Sequence, residues 1–178
     1  VIFDYMLKKY VIACLLVLFS AKIFAQQTRQ YSFTHFSSFN GLASNLVNNI
    51  TQDKEGFIWL ATINGLQRYD GNKFITFQNQ GGNSASVPSS IISKVMLDKA
   101  ARLWVWAGEQ VGTFNTDNFI YTDVIIEGND PKNPGHILLM DQDPNGNPFI
   151  VVHKRGLYTY SAGQKKFTLT AKLPGEFP

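Results

Sequence analysis

From Asn40 to Phe77 the chain reads NGLASNLVNNITQDKEGFIWLATINGLQRYDGNKFITF. Four short runs rich in β-branched and aromatic residues alternate with Gly, Asn and Asp, the composition of strands joined by tight turns. The stretch then repeats. Asp53, Trp59 and Tyr69 return as Asp98, Trp104 and Phe114, each 45 positions later. A third copy starts in the same register, with Asp143 and Phe149, and then slips by one, so that Tyr160 lies 46 after Phe114. A four-stranded unit recurring every 40–45 residues or so is the period of a β-propeller blade. The repeat therefore predicts an all-β fold: a partial propeller of about three four-stranded antiparallel blades.

The blades are expected at residues 40–80, 85–125 and 130–173. Within each, an aspartate opens a hairpin turn that a glycine closes at positive φ, as with Asp53 and Gly56 or Asp143 and Gly146. Gly65 and Gly156 mark the next hairpin in blades one and three. In the second copy Ala101 replaces the Gly56 type and Gln110 the Gly65 type. Trp59 is expected to fill the gap between blades. Trp104 and Trp106 point to one side of their strand, because side chains alternate with period two. Stacking on a sugar ring is one role for that pair, and packing between blades is the simpler one. Residues 26–39 hold an alternating stretch, Tyr31 to Phe36, expected to be a leading strand that closes the ring. Residues 174–178 read as the start of the next linker. Three blades fall short of the roughly four needed for a ring, so the chain is expected to be a fragment.

The N-terminus predicts a helix of another kind. Lys8 and Lys9 precede an apolar run from Tyr10 to Ala21, and Ala25 offers a small residue for cleavage. This is the layout of a secretory signal peptide over residues 1–25, with the true start at Met6. The run is shorter than the roughly 20 residues of a spanning helix. The single cysteine, Cys14, lies inside it, so neither a disulfide framework nor a thiolate metal site is expected.

Charge excludes one class. The formal net charge is +3, but Lys8, Lys9 and Lys22 all lie in the leader. The remainder is nearly balanced and has no basic stripe for a phosphate backbone, so no nucleic acid is expected. No nucleophile elbow, zinc-protease motif or phosphate-binding loop occurs. His35, His136 and His153 are read as scattered structural residues. Asp53, Asp98 and Asp143 recur as turn residues and lack the run of oxygen ligands of a calcium loop. No catalytic residue, metal or cofactor is expected.

The run from Asp53 to Asp70, DKEGFIWLATINGLQRYD, resembles the repeat of the two-component regulator propeller family. The preceding FSSFNGLASNLVNNI, Phe36 to Ile50, is similar to the way such sensor domains begin. The resemblance implies a periplasmic sensor exported by a Sec-type signal, in a full-length protein anchored in the inner membrane. It implies oligosaccharides or another small ligand, further blades, and downstream signalling domains including a histidine kinase. A homodimer is the implied full-length state. The alternatives are an exported propeller enzyme acting on polysaccharides and a protein-interaction scaffold.

Overall fold

The computed structural model describes residues 2–20, 31–83, 85–130 and 135–173. It divides into two units, 1–35 and 36–178. The first carries helix α1 (Ile2–Ser20). No helix among the described residues is long and apolar enough to cross a membrane. The expected cleavage point at Ala25 and the linker at 174–178 lie outside the described residues. Tyr31–Ser37 adopts no strand, with Tyr31 and Phe33 exposed.

The second unit is built of strands. Blade one is β1 (Val47–Gln52), β2 (Ile58–Thr62), β3 (Gly65–Tyr69) and β4 (Phe74–Phe77), paired in that order. Blade two is β5 (Ile92–Leu97), β6 (Leu103–Ala107), β7 (Gln110–Phe114) and β8 (Tyr121–Asp123). A short strand β9 (Ile125–Ile126) follows. Blade three is β10 (Ile137–Gln142), β11 (Pro148–Val152), β12 (Gly156–Ser161) and β13 (Lys166–Lys172). All pairings within a blade are antiparallel.

Two details depart from the sequence reading, and a third explains part of it. Ile125, expected in blade two, belongs to β9, which pairs in parallel with the outer strand of blade three through Lys166 and Phe167. The segment leaving blade two thus ties itself to its neighbour before that blade begins. Phe119, inside the span expected for blade two, lies not in its outer strand β8 but in the turn before it, at φ 61°. The one-residue slip in the third copy has a local cause. The β2–β3 and β6–β7 hairpins close as Thr62–Gly65 and Ala107–Gln110, whereas β11–β12 closes as Val152–Gly156, with one more residue in the loop.

The repeat also extends to the strand register. Each inner strand shifts register between its first and third residue, at Val47/Asn49, Ile92/Lys94 and Ile137/Leu139. The extra residue of each β-bulge is therefore Asn48, Ser93 or Leu138, again 45 apart. The core lies between blades. One cluster joins Trp59, Ala61 and Leu66 of blade one to Ile92, Val95, Leu103 and Phe114 of blade two. The other joins Met96, Trp104 and Val111 of blade two to Ile137, Met140, Ile150 and Phe167 of blade three.

Candidate functional site

The recurring Asp and Trp form one device. In blade one the Asp53 carboxylate accepts the Phe57 backbone N–H at 2.8 Å, which fixes the turn, and the Trp59 indole N–H at 2.6 Å. Gly56 supplies φ 89° at the end of that turn. In blade two Asp98 accepts Trp104 at 2.9 Å and also the Arg102 guanidinium, Nε at 2.7 Å. Burial alone would raise the Asp98 carboxyl, but bonds from Trp104 and Arg102 and the Arg102 charge outweigh it and hold it below the usual range. Blade three has Phe149 in place of the indole, and Asn147 supplies the missing donor, its Nδ2 reaching Asp143 at 2.8 Å.

Each indole packs against the third-strand aromatic of the next blade. Trp59 and Phe114 have ring centroids 5.7 Å apart, and Trp104 and Tyr160 4.7 Å, both edge-on. Arg102 lies 4.8 Å over Tyr160, adding a cation–π contact across the same joint. Trp59 and Trp104 are fully buried. An indole at that depth presents no face to a ligand. Trp106 is half-buried and donates its N–H to the Gly108 carbonyl at 2.8 Å. Of the two tryptophans weighed for sugar stacking, only Trp106 reaches solvent.

Antiparallel strand order places the β2–β3, β6–β7 and β11–β12 hairpins on one rim, together with the segments crossing between blades. A cavity of about 450 Å³ opens on this rim. Pro88 and Ser89 line it from the first crossing, Glu109 and Gln110 from the β6–β7 hairpin, Asp123 from the end of β8, and Val124, Ile126 and Asn129 from the second crossing. Its polar groups are held by their neighbours. Glu109 Oε1 meets His136 Nδ1 at 2.9 Å. Asn129 Oδ1 accepts Arg155 at 2.6 Å and the Gly135 backbone N–H at 3.0 Å. Asp123 receives the Tyr121 hydroxyl at 3.4 Å and the Gln110 side chain.

Burial pushes the Asp123 carboxyl upward, more than bonds from Tyr121, Val124 and Gln110 pull it down. Burial, with the negative charge of Asp123 beside it, pushes the Tyr121 phenol upward as well. The histidines are less scattered than the sequence implied: the His153 backbone N–H bonds the His136 carbonyl at 2.8 Å, while His35 is exposed in the first unit. Among the described residues no three His, Cys, Asp or Glu converge as a metal site.

The sequence reading also missed Gln67. Fully buried, it accepts the Ala43 N–H at 2.8 Å and donates to the Gly41 carbonyl and Thr76, pinning the entry loop to blade one. At the matching place in blade two, Gly112 has no side chain, and a Cβ there would meet the Tyr121 ring at 2.5 Å. Tyr121 therefore owes its position beside Asp123 to that glycine.

Three repeats of this kind, each wedged into the next by an aromatic, define the class: the chain is a run of β-propeller blades. Within that class the first repeat matches the sequence model of the two component regulator propeller family over residues 41–64. A histidine kinase P4 of Formosa agariphila is 32% identical over 77 residues, 43% of this chain and 6% of that protein. The extracellular domain of the hybrid two component system BT3049 from B. thetaiotaomicron superposes with a TM-score of 0.66 at 23% identity, over 79% of this chain and 20% of that one. The extracellular domain of BT4673 from the same organism gives 0.61 at 17%, over 85% and 20%. A virginiamycin B lyase from Staphylococcus aureus gives 0.52 at 15%, over 72% and 42%. The chain thus spans about a fifth of the two extracellular domains and a small part of the kinase.

Proposed function

We propose that these blades belong to the exported, ligand-sensing propeller of a bacterial two-component receptor, and that its ligands are oligosaccharides. The observation that supports this most is the Asp–turn–Trp repeat itself, shared in sequence with the two component regulator propeller family and in blade architecture with extracellular domains of two-component systems. Residues 1–25 act as the export signal in this reading, the protein works in the periplasm, and the segment acts by binding. The receptor's kinase and its membrane anchor lie in other parts of the protein.

Calorimetry of the full-length sensor against a panel of oligosaccharides tests the proposal. Heat with at least one glycan is expected. No heat with any glycan, together with capture of a protein partner, would instead make the propeller a scaffold. One observation favours an enzyme acting on polysaccharides, the Glu109–His136 pair beside the cavity. Release of new sugar ends by the wild type, lost in Glu109→Gln, would establish that reading.

The leading segment has a place in this scheme. Phe33-Thr-His-Phe36 parallels Phe74-Ile-Thr-Phe77 of β4. Phe36 packs 5.2 Å from Tyr69 as Phe77 packs 5.0 Å from Phe114, the equivalent of Tyr69 one blade on. In this reading residues 31–36 become the outer strand of a further blade in the full-length protein. Hydrogen exchange reads this directly. Alternate amides of 31–36 are expected to be protected in the full-length protein, and free exchange there would remove the idea.

A further inference from the structure

The cavity between the second and third blades carries a statement about charge. It lies where two crossings and a hairpin meet, and its volume is within the usual range of small-ligand sites. Two carboxylates line it, Glu109 and Asp123, and among the described residues no Lys or Arg does. Arg155 comes near through Asn129, but its NH1 bonds Asn129 Oδ1 and the Gly128 carbonyl. The floor is aliphatic, from Val111, Val124 and Ile126, and no aromatic face is offered for stacking.

We infer that this cavity is a subsite for a neutral or ammonium-bearing unit of the ligand, held by hydrogen bonds donated to Asp123, and that it excludes carboxylated and sulfated units. This rests on the sensor reading above for the identity of the ligand as a saccharide. The physical reason is unmet demand. The Glu109 carboxylate is already satisfied by His136 Nδ1 and receives the Ile137 N–H at 3.4 Å. Asp123, exposed at the rim, has a long bond from Tyr121 and help from Val124 and Gln110, and a carboxylate with about four lone-pair sites still has room for a further donor. A ligand hydroxyl or ammonium donates to the two carboxylates, the only charged groups among the described lining residues. An anionic group would add a third negative charge beside two carboxylates and be repelled by both. Burial already disfavours the charge on Asp123, so a donor there stabilises the carboxylate and an anion does the reverse.

The full-length protein should be titrated with cello- and xylo-oligosaccharides as neutral probes, chitosan oligomers as amine-bearing ones, and oligogalacturonates and heparin fragments as anionic ones. Binding is expected in the first two groups only. Asp123→Asn keeps the shape, removes the charge, and should weaken the binder by about tenfold, the scale of a charge-assisted hydrogen bond. Ile125→Lys, on an exposed side chain at the cavity wall, should admit oligogalacturonate and serves if Asp123→Asn misfolds. Methyl shifts of Val111, Val124 and Ile126 with inositol or ethanolamine, and not with glycolate, report the cavity without any glycan. Shifts with those fragments but no glycan binding would leave the subsite standing and sink the saccharide reading. Glycan binding with silent methyls and an unaffected Asp123→Asn would sink the subsite and leave the sensor. Tight binding of an anionic oligomer that moves these methyls would overturn the charge rule.

Discussion

Val47 and Ile50 of blade one occupy the same repeat positions as Ile92 and Val95 of blade two, and as Ile137 and Met140 of blade three. The last four are buried against the blade before them, at 1% exposure or less, whereas Val47 is 40% and Ile50 60% exposed. The residue types are equivalent, so burial here is a property of the neighbour and not of the side chain. The socket around them is complete as well: Leu60 and Tyr69 repeat Val105 and Phe114, which receive Trp59 in the next joint. Blade one carries an interface of the same design as the two internal ones, and the described residues leave it open.

That contrast can be broken by truncation. Trp104→Ala removes the wedge of a closed joint and should cost about 3–5 kcal/mol in denaturant unfolding. Met140→Ala should cost about 2–5 kcal/mol. Ile50→Ala in this 178-residue chain should cost under about 0.5 kcal/mol, as an exposed change does. Equal costs for Ile50→Ala and Met140→Ala would show that something covers the face. A rise in the Ile50→Ala cost in the full-length protein would identify the cover as further propeller.

The charged centres of the joints sharpen the same comparison. Asp98→Asn leaves Arg102 without its buried partner, Nη2 lying 2.6 Å from Oδ2, and should cost about 2–3 kcal/mol. The carboxyl of Asp98 is depressed in the folded state from its usual 3.8. A depressed acid stabilises the fold fully above its unfolded value and loses that contribution as pH falls through the lower folded one. Acid unfolding of the wild type should therefore steepen below pH 3.8, and Asp98→Asn should flatten that limb. Removing the substitute donor, Asn147→Ala, should cost about 1 kcal/mol, the scale of one hydrogen bond. An Asn147→Ala loss as large as that of Asp98→Asn would mean that blade three leans on its amide as heavily as blade two on its ion pair.

The period, the strand order and the Asp-to-Trp spacing were legible because they are local: a turn residue, a positive-φ residue and an aromatic at fixed offsets. The β9 crossing was not, since Ile125-Ile126 is too short to show a period and pairs with a strand about 40 residues later. Gln67 was hidden for a similar reason. Its partners, Gly41, Ala43 and Thr76, are joined only by the fold. Asn147 could have been found by asking what replaces an indole donor when Phe149 stands in its place. The cavity depends on three segments meeting, and only Glu109, Gln110 and Asp123 hinted at it as polar residues beside strand ends.

The one expected gain in stability concerns a position where the repeat breaks its own rule. Gly56, Ala101 and Gly146 close the same turn, at φ 89°, 57° and 74°. A left-handed residue with a Cβ pays about 1–2 kcal/mol in steric strain. Against this, a glycine widens the unfolded ensemble, which takes back part of the gain. Ala101→Gly should thus stabilise the protein by about 0.5–1 kcal/mol, seen as a higher denaturation midpoint with unchanged slope. Gly56→Ala is the mirror test: its Cβ would touch only Gln52 Nε2, at 3.8 Å, so its cost is backbone strain and not a clash. If Ala101→Gly gains nothing while Gly56→Ala loses about 1 kcal/mol, the turn of blade two is held in its left-handed bend by contacts that blade one lacks. The Arg102 bonds to Asp98 are then the first place to look, because they pin the residue next to Ala101.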